Sequence, residues 1–168
     1  MIGEGNVQQV LEVAFKLAMK RKKSLTNVHK SNVLKSSVLW NEILDEVHRD
    51  YSEVAVDHVL VDAAATYLCL DPTRFDVMVM ENMFGDILSD AAAVLPGSLG
   101  LVASASLNKD NFGLYEPPGG SAQDIAGQGI ANPIAQILSA SMLLKYSFGL
   151  KEESAAIDAS VEEALSQG

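Results

Sequence analysis

Residues 80–107 read MENMFGDILSDAAAVLPGSLGLVASASL, and the side-chain order in this stretch sets the architecture expected on either side of it. A short β-prone run, Phe75 to Met80, leads in, and Pro96-Gly97 closes the helical part. A helix turns once every 3.6 residues, so Asp86 and Asp90 stack on one face, while Ile87, Leu88, Ala91, Val94 and Leu95 form an apolar stripe. Like charges at this spacing weaken a helix by roughly 0.2–0.5 kcal/mol. Two arrangements relieve that cost. A hard divalent cation such as Mg²⁺ can be shared by the carboxylate oxygens, or the pair can lie on a solvated face near the positive helix N-terminus. The spacing alone leaves both open.

Moving upstream, Asp71-Pro72 reads as a turn, and Ala63 to Leu70 as an alanine-rich helix with Asp62 at its N-cap. Val54 to Val61 alternates and is β-branched, as a strand should be. Ser36 to Tyr51 forms a helix with Val38, Leu39, Ile43, Leu44 and Val47 inward and Trp40 half-buried. Ser24 to His29 is a short strand. Residues 7 to 22 are an amphipathic helix in which Val7, Val10, Leu11, Ala14, Phe15 and Ala18 keep helical spacing, ending in the cationic run Lys20 to Lys23.

Downstream of Pro96 the character shifts to small residues and glycine, which marks a lobe boundary and predicts lobes over 1–97 and 98–168. Ser98 to Leu107 looks extended, and residues 108 to 113 form a polar loop. Asn132 caps, and Pro133 opens, a helix running to about Tyr146 and ended by Gly149; Glu152 to Leu165 is the last helix. Helix and strand patterns alternate through the first lobe, so the fold class is α/β.

Composition narrows the functional classes. A chain of 168 residues with 48% hydrophobic and 20% charged residues reads as an ordinary globular protein able to bury a core. The formal net charge of −10 argues against nucleic-acid or anionic-membrane binding, but not against an anionic substrate held through a metal. The single Cys69, in the apolar run Tyr67 to Leu70, reads as a buried thiol in a reducing compartment. The opening MIGEGNVQQV has no cationic segment followed by an apolar one, and the apolar helix near 134–144 is too short to span a bilayer. A cytoplasmic location is expected.

Two blocks carry a resemblance. Asn82-Met83-Phe84-Gly85-Asp86-Ile87-Leu88-Ser89-Asp90, followed by Pro96 to Leu101 and Ser104 to Leu107, is one; GLYEPPGGSAQDIAGQGIANPIAQILSASMLLKYSFGL, residues 113–150, is the other. Together they resemble the β-decarboxylating dehydrogenases, the isocitrate/isopropylmalate family, and its isopropylmalate branch most. The match runs from about Val10 to about Ser166, and corresponds to the later part of the family's chain. It implies an isopropylmalate dehydrogenase-like fold, with a dimerisation lobe and an incomplete nucleotide-binding lobe. The activity implied is NAD-dependent oxidation and decarboxylation of 3-isopropylmalate to 2-oxoisocaproate, a step of leucine biosynthesis.

By the same resemblance, Asp86 and Asp90, with Asp62 from the partner subunit of a homodimer, hold Mg²⁺ or Mn²⁺. The metal would chelate the hydroxyl and adjacent carboxylate of a malate-type 2-hydroxy dicarboxylate. Lys30, in His29-Lys30-Ser31-Asn32, matches a D-K-A-N pattern whose lysine reaches into the partner's site to assist removal of the hydroxyl proton. His29 stands where the usual residue is Asp, Ala63 where Asn is more common, and Ala91 where Glu is usual. Residues 116–132 resemble the family's dinucleotide loop. Gly119, Gly120, Ser121 and Ala122 leave room and backbone N–H groups for phosphates. Asp124 would accept the adenine ribose hydroxyls and repel a 2′-phosphate, favouring NAD over NADP. Ile125 and Asn132 would contact the adenosine, and Glu116 would lie toward the nicotinamide. Gln123 stands where Pro is usual.

Family members are longer at both ends, and their preceding part carries the arginines that grip the substrate carboxylates. A second expectation follows from that: a non-catalytic module that dimerises, or docks onto a full-length subunit, through the helices 62–70 and 86–95. Related substrates of the family, isocitrate, homoisocitrate and tartrate, stay open at this stage.

Overall fold

A computed structural model describes residues 4–108 and 110–167. It divides into two compact units, Met1–Ala92 and Ala93–Gly168.

The first unit is built on three parallel strands, β1 (Ser24–His29), β2 (Ala55–Leu60) and β3 (Val77–Val79), in the order β2-β1-β3. Four helices cover them: α1 (Glu4–Met19), α2 (Lys35–His48), α3 (Val61–Leu70) and α4 (Asn82–Ala93). The period-2 alternation of strand side chains splits the core between the two sheet faces. Leu25, Val77 and Val79 pack with Leu11, Phe15, Ala18, Trp40 and Leu44 of α1 and α2. Val28 and Val59 pack with Ala64, Leu68 and Leu88 of α3 and α4, and Met78 joins them. Burial on both faces explains why β1 is almost wholly inaccessible, as parallel strands are. Three of the helices, α2, α3 and α4, start just beyond the C-terminal ends of β1, β2 and β3.

The second unit pairs β4 (Ser104–Leu107) antiparallel with β5 (Gly113–Glu116) and packs α5 (Ile134–Tyr146) on α6 (Lys151–Gln167). Small residues allow that helix contact: Ala135, Ser139, Ser141 and Ser154 are buried. Ser141 Oγ donates to Asp158 Oδ1 at 2.6 Å and lies 2.8 Å from Ser154 Oγ. Tyr115 Oη meets Ser147 Oγ at 2.8 Å, tying β5 to the end of α5. Gly149 supplies the positive φ of 70° at the turn into α6.

Several sequence expectations need correction. On α4 the buried side is Phe84 and Leu88, whereas Ile87 (60% exposed) faces out, and Val94 (67%) and Leu95 (50%) lie exposed beyond the helix's end at Ala93. Periodicity marks where apolar residues recur, and here two apolar sides compete for one core. Cys69 is exposed, because α3 buries Ala64 and Leu68 and turns position 69 away. Asp62 is not the cap of α3. Leu60 occupies that place with extended backbone and no side-chain hydrogen bond, and Asp62 sits in the first turn. Trp40 is buried rather than half-buried, and Leu39 is exposed. Residues 98–107 are not one strand: Leu99–Leu101 is a 3₁₀ turn, and β4 pairs with β5, so its edge is not left open on that side. The residues that form β5 lie partly in the expected polar loop; Lys109 of that loop is outside the described residues. Pro133 flanks α5 rather than opening it, while Asn132 Oδ1 does accept the Ile134 N–H at 3.0 Å. No helix among the described residues is long and apolar enough to cross a membrane.

Candidate active site

Three parallel strands end at one edge of the sheet in the first unit, and the candidate residues follow those ends. In open parallel α/β sheets, ligands bind just outside the strand C-termini, where loops and helix N-termini converge. The β1–β2 register places His29 beside Leu60, so Lys30 and the start of α3 emerge side by side. There Lys30 Nζ pairs with Asp62 Oδ1 at 2.5 Å. The pair is 32 residues apart in sequence, and the β1–β2 register brings its two segments together. The hydrogen bond from Lys30, with that from the backbone of Asp62 itself, holds the Asp62 carboxyl below the ordinary aspartate range. Lys30 is fixed at its backbone too: its N–H donates to Ser37 Oγ at 3.2 Å, and its carbonyl accepts from Val33 and Leu34 at 3.0 and 2.8 Å.

A polar network that sequence reasoning did not single out links β1 with β2 and α2. Trp40 Nε1 donates to Asn27 Oδ1 at 2.9 Å, Asn27 Nδ2 donates to Asn41 Oδ1 at 2.8 Å, and Asn27 Nδ2 lies 3.2 Å from His58 Nδ1. Asn27 is fully buried. A signal was available: an asparagine between Thr26 and Val28 in a buried strand demands partners.

Asp86 and Asp90 follow β3 on α4, one turn apart and both exposed. Asp86 Oδ2 accepts from Asn82 Nδ2 at 2.9 Å. Between β3 and α4, Glu81 carries a buried Oε1 with no hydrogen-bond partner among the described residues. No group of three or more His, Cys, Asp or Glu side chains converges among the described residues. A single chain therefore brings Asp62 to Lys30, and separately stacks Asp86 with Asp90. Exposed carboxylates at this spacing suit a hard divalent cation, with at least one more ligand needed from elsewhere.

In the second unit, residues 116–132 form an exposed loop. Gly120 has φ 65° and Ala122 has φ 42°, both left-handed, and nothing lies within 4 Å of where a Cβ on Gly120 would stand. Such open, small-residue backbone lets phosphates approach N–H groups closely. Asp124 sits in the 3₁₀ turn Gln123–Ile125, where its backbone carbonyl accepts from Gln128 Nε2 at 2.8 Å. Asn132 is seated against Gly100, where an added Cβ would come within 2.8 Å of Asn132 Cβ. Glu116 ends β5 and is exposed, and Gly119, Ser121 and Ala122 are exposed beside it. Its exposed glycine-rich backbone offers N–H donors, and the Asp124 carboxylate an acceptor, to a ligand.

Comparison with known proteins agrees with this layout. The family model described as isocitrate/isopropylmalate dehydrogenase matches residues 1–168. The 3-isopropylmalate dehydrogenase of Haemophilus influenzae is 53% identical over 162 residues, covering 96% of this chain and 45% of that protein. That of Oceanobacillus iheyensis is 57% identical over 162 residues, covering 96% and 44%. Among solved structures, an isocitrate dehydrogenase from Methylococcus capsulatus superposes with a TM-score of 0.94 at 39% identity, over all of this chain and 50% of that one. A β-decarboxylating dehydrogenase from Thermococcus kodakarensis gives 0.80 at 40% identity, over 96% and 48%. The chain spans under half the length of the curated relatives it matches.

Proposed function

The chain belongs to the isocitrate/isopropylmalate dehydrogenase family, and we propose that it carries the lysine, metal and nucleotide elements of an NAD-dependent enzyme converting 3-isopropylmalate to 2-oxoisocaproate. The observation that supports this reading most is the Lys30–Asp62 ion pair at the C-terminal edge of adjacent parallel strands, on the same sheet whose third strand leads to Asp86 and Asp90. The substrate's C2–H passes as hydride to NAD and its hydroxyl loses a proton, after which the β-carboxylate departs as CO₂ and the enolate left behind takes up a proton at C3. Lys30, as the neutral amine, takes the hydroxyl proton, and Asp62 fixes the lysine side chain in place. Asp86 and Asp90 would hold Mg²⁺ or Mn²⁺, completed by Asp62 of a second subunit, and such an ion supplies Lewis-acid polarisation of the substrate oxygens. Gly119, Gly120, Ser121 and Ala122 receive the NAD phosphates, Asp124 the adenine ribose hydroxyls, Ile125 and Asn132 the adenosine, and Glu116 lies toward the nicotinamide. The two lobes assigned are 1–97, with lysine and metal ligands, and 98–168, with the nucleotide loop. We place the protein in the cytoplasm.

Shared ligands make a homodimer part of this proposal. Leu70 on α3 (77% exposed) and Met83 and Ile87 on α4 offer it apolar surface. The same exposed side chains favour a second reading, in which this polypeptide dimerises, or docks on a full-length subunit, without turnover. One experiment separates them. NADH formation by the purified chain, with 3-isopropylmalate, NAD and Mn²⁺, should be lost in Asp86→Asn if the catalytic reading holds. A dimeric sample without turnover, by sedimentation and assay together, supports the module instead.

A further inference from the structure

Lys30 is held by a turn, and the turn is held by a histidine. The Ser31 backbone N–H points at His29 Nδ1 at 3.3 Å. An amide N–H only donates, so Nδ1 must present a lone pair, and the ring carries its proton at Nε2. His29 is 8% exposed at the C-terminal end of β1, and its ring meets that of His58 on β2 edge-to-face, with centroids 5.7 Å apart. The neighbouring contacts admit little freedom. The indole N–H of Trp40 is also donor-only, so Asn27 must turn Oδ1 toward it and its amide NH₂ toward Asn41 and His58 Nδ1. On the other flank of Lys30, Ser37 Oγ takes the Lys30 N–H.

We infer that His29 is a positioning residue for Lys30: its neutral ring accepts the Ser31 amide proton at Nδ1 and so fixes the turn that carries the Lys30 ammonium to Asp62. The role is that of an Asx turn, in which a side-chain acceptor binds the backbone N–H two residues on. It accounts for histidine at a position where aspartate would do the same work with an oxygen. It rests on the reading of Lys30 as the proton-transfer group. The geometric claim is nevertheless tested without turnover, so either can fail alone. A protonated ring would put an N–H against an N–H and a second cation beside Lys30, whose charge Asp62 already engages. Burial first, and the nearness of His58 second, hold the imidazole below the ordinary histidine range, in keeping with a ring that stays neutral.

The test is NMR on the full chain, unaltered and with His29→Asn and His29→Leu. Asparagine keeps an acceptor for the Ser31 N–H; leucine keeps bulk and has none. In the unaltered chain at pH 7.5, the ¹⁵N shift of Nδ1 should be that of an unprotonated ring nitrogen and Nε2 that of a protonated one. Exchange of the Ser31 amide should rise about tenfold in the leucine variant and stay near the unaltered rate in the asparagine variant. The slowly exchanging ammonium signal of Lys30 should follow the same pattern. A proton on Nδ1, or equal protection and an unchanged Lys30 signal in a folded leucine variant, overturns the assignment. Should the leucine variant not fold, the ring tautomer in the unaltered chain decides alone.

Discussion

Single side chains here separate stability from chemistry. The Lys30–Asp62 pair joins a lysine 25% exposed to a carboxylate 66% exposed, and water screens such pairs heavily. Lys30→Ala should therefore cost under about 1 kcal/mol in urea unfolding, while on the proposed function it removes NADH formation. His29 makes the opposite contribution. Its imidazole is held below the ordinary value by burial and then by His58, so the unfolded chain takes up a proton that the folded chain refuses. Stability is then full above about 6.5, falls as pH drops through that value, and levels off below the folded-state value. Urea midpoints against pH should show that decline, and His29→Asn should flatten it. Asp62 acts at the acid end. Its carboxyl is held low by Lys30, so that contribution is present above the ordinary aspartate range and is lost as pH falls through its folded value.

Whole elements are placed by which of their faces finds a partner. In α4, Leu88 is 2% exposed and Ile87, the next residue, is 60% exposed. Leu88→Ala should cost about 2–5 kcal/mol through the cavity it leaves. Ile87→Ala should change monomer stability by under about 0.5 kcal/mol, yet weaken self-association if α4 lies in a dimer, and sedimentation reads that second effect. In α2, Trp40 closes one side of the core and also donates to Asn27. Trp40→Phe keeps much of the apolar volume but strands the Asn27 oxygen, a loss of about 1–3 kcal/mol in urea unfolding. The positions of these helices along the chain were legible from apolar spacing, because that spacing is local. Which of two apolar sides turns inward was not, as Ile87 and Cys69 demonstrate.

Across the molecule, burial is uneven. The first unit holds two clusters of buried apolar side chains, one on each sheet face. In the second, α5 and α6 meet through Ala135, Ser139, Ser141 and Ser154, and large side chains such as Phe112, Leu114, Ile130 and Phe148 stay exposed. Opening free energy follows buried apolar contact. Hydrogen exchange should thus find the slowest amides in β1, buried from Leu25 to His29, and markedly faster exchange in β4, β5 and α6. Equal protection in the two units would contradict that burial difference.

The α/β order of the first unit and the family were legible before folding, because helical and strand periods and the two long signature blocks are written along consecutive residues. The sequence also named Lys30, Asp62, Asp86, Asp90 and the loop from Glu116 to Asn132 as candidates. It took the folded chain to establish that Lys30 meets Asp62 within one chain, that β5 pairs with β4, that Cys69 lies outside, that His29 and Ser37 bind the backbone around Lys30, and that Trp40 binds Asn27. Each of those depends on strand register or on the rotation of a helix about its axis. A one-residue slip of a strand would turn its side chains to the opposite face, and a one-residue shift of a helix would swing them by about 100°.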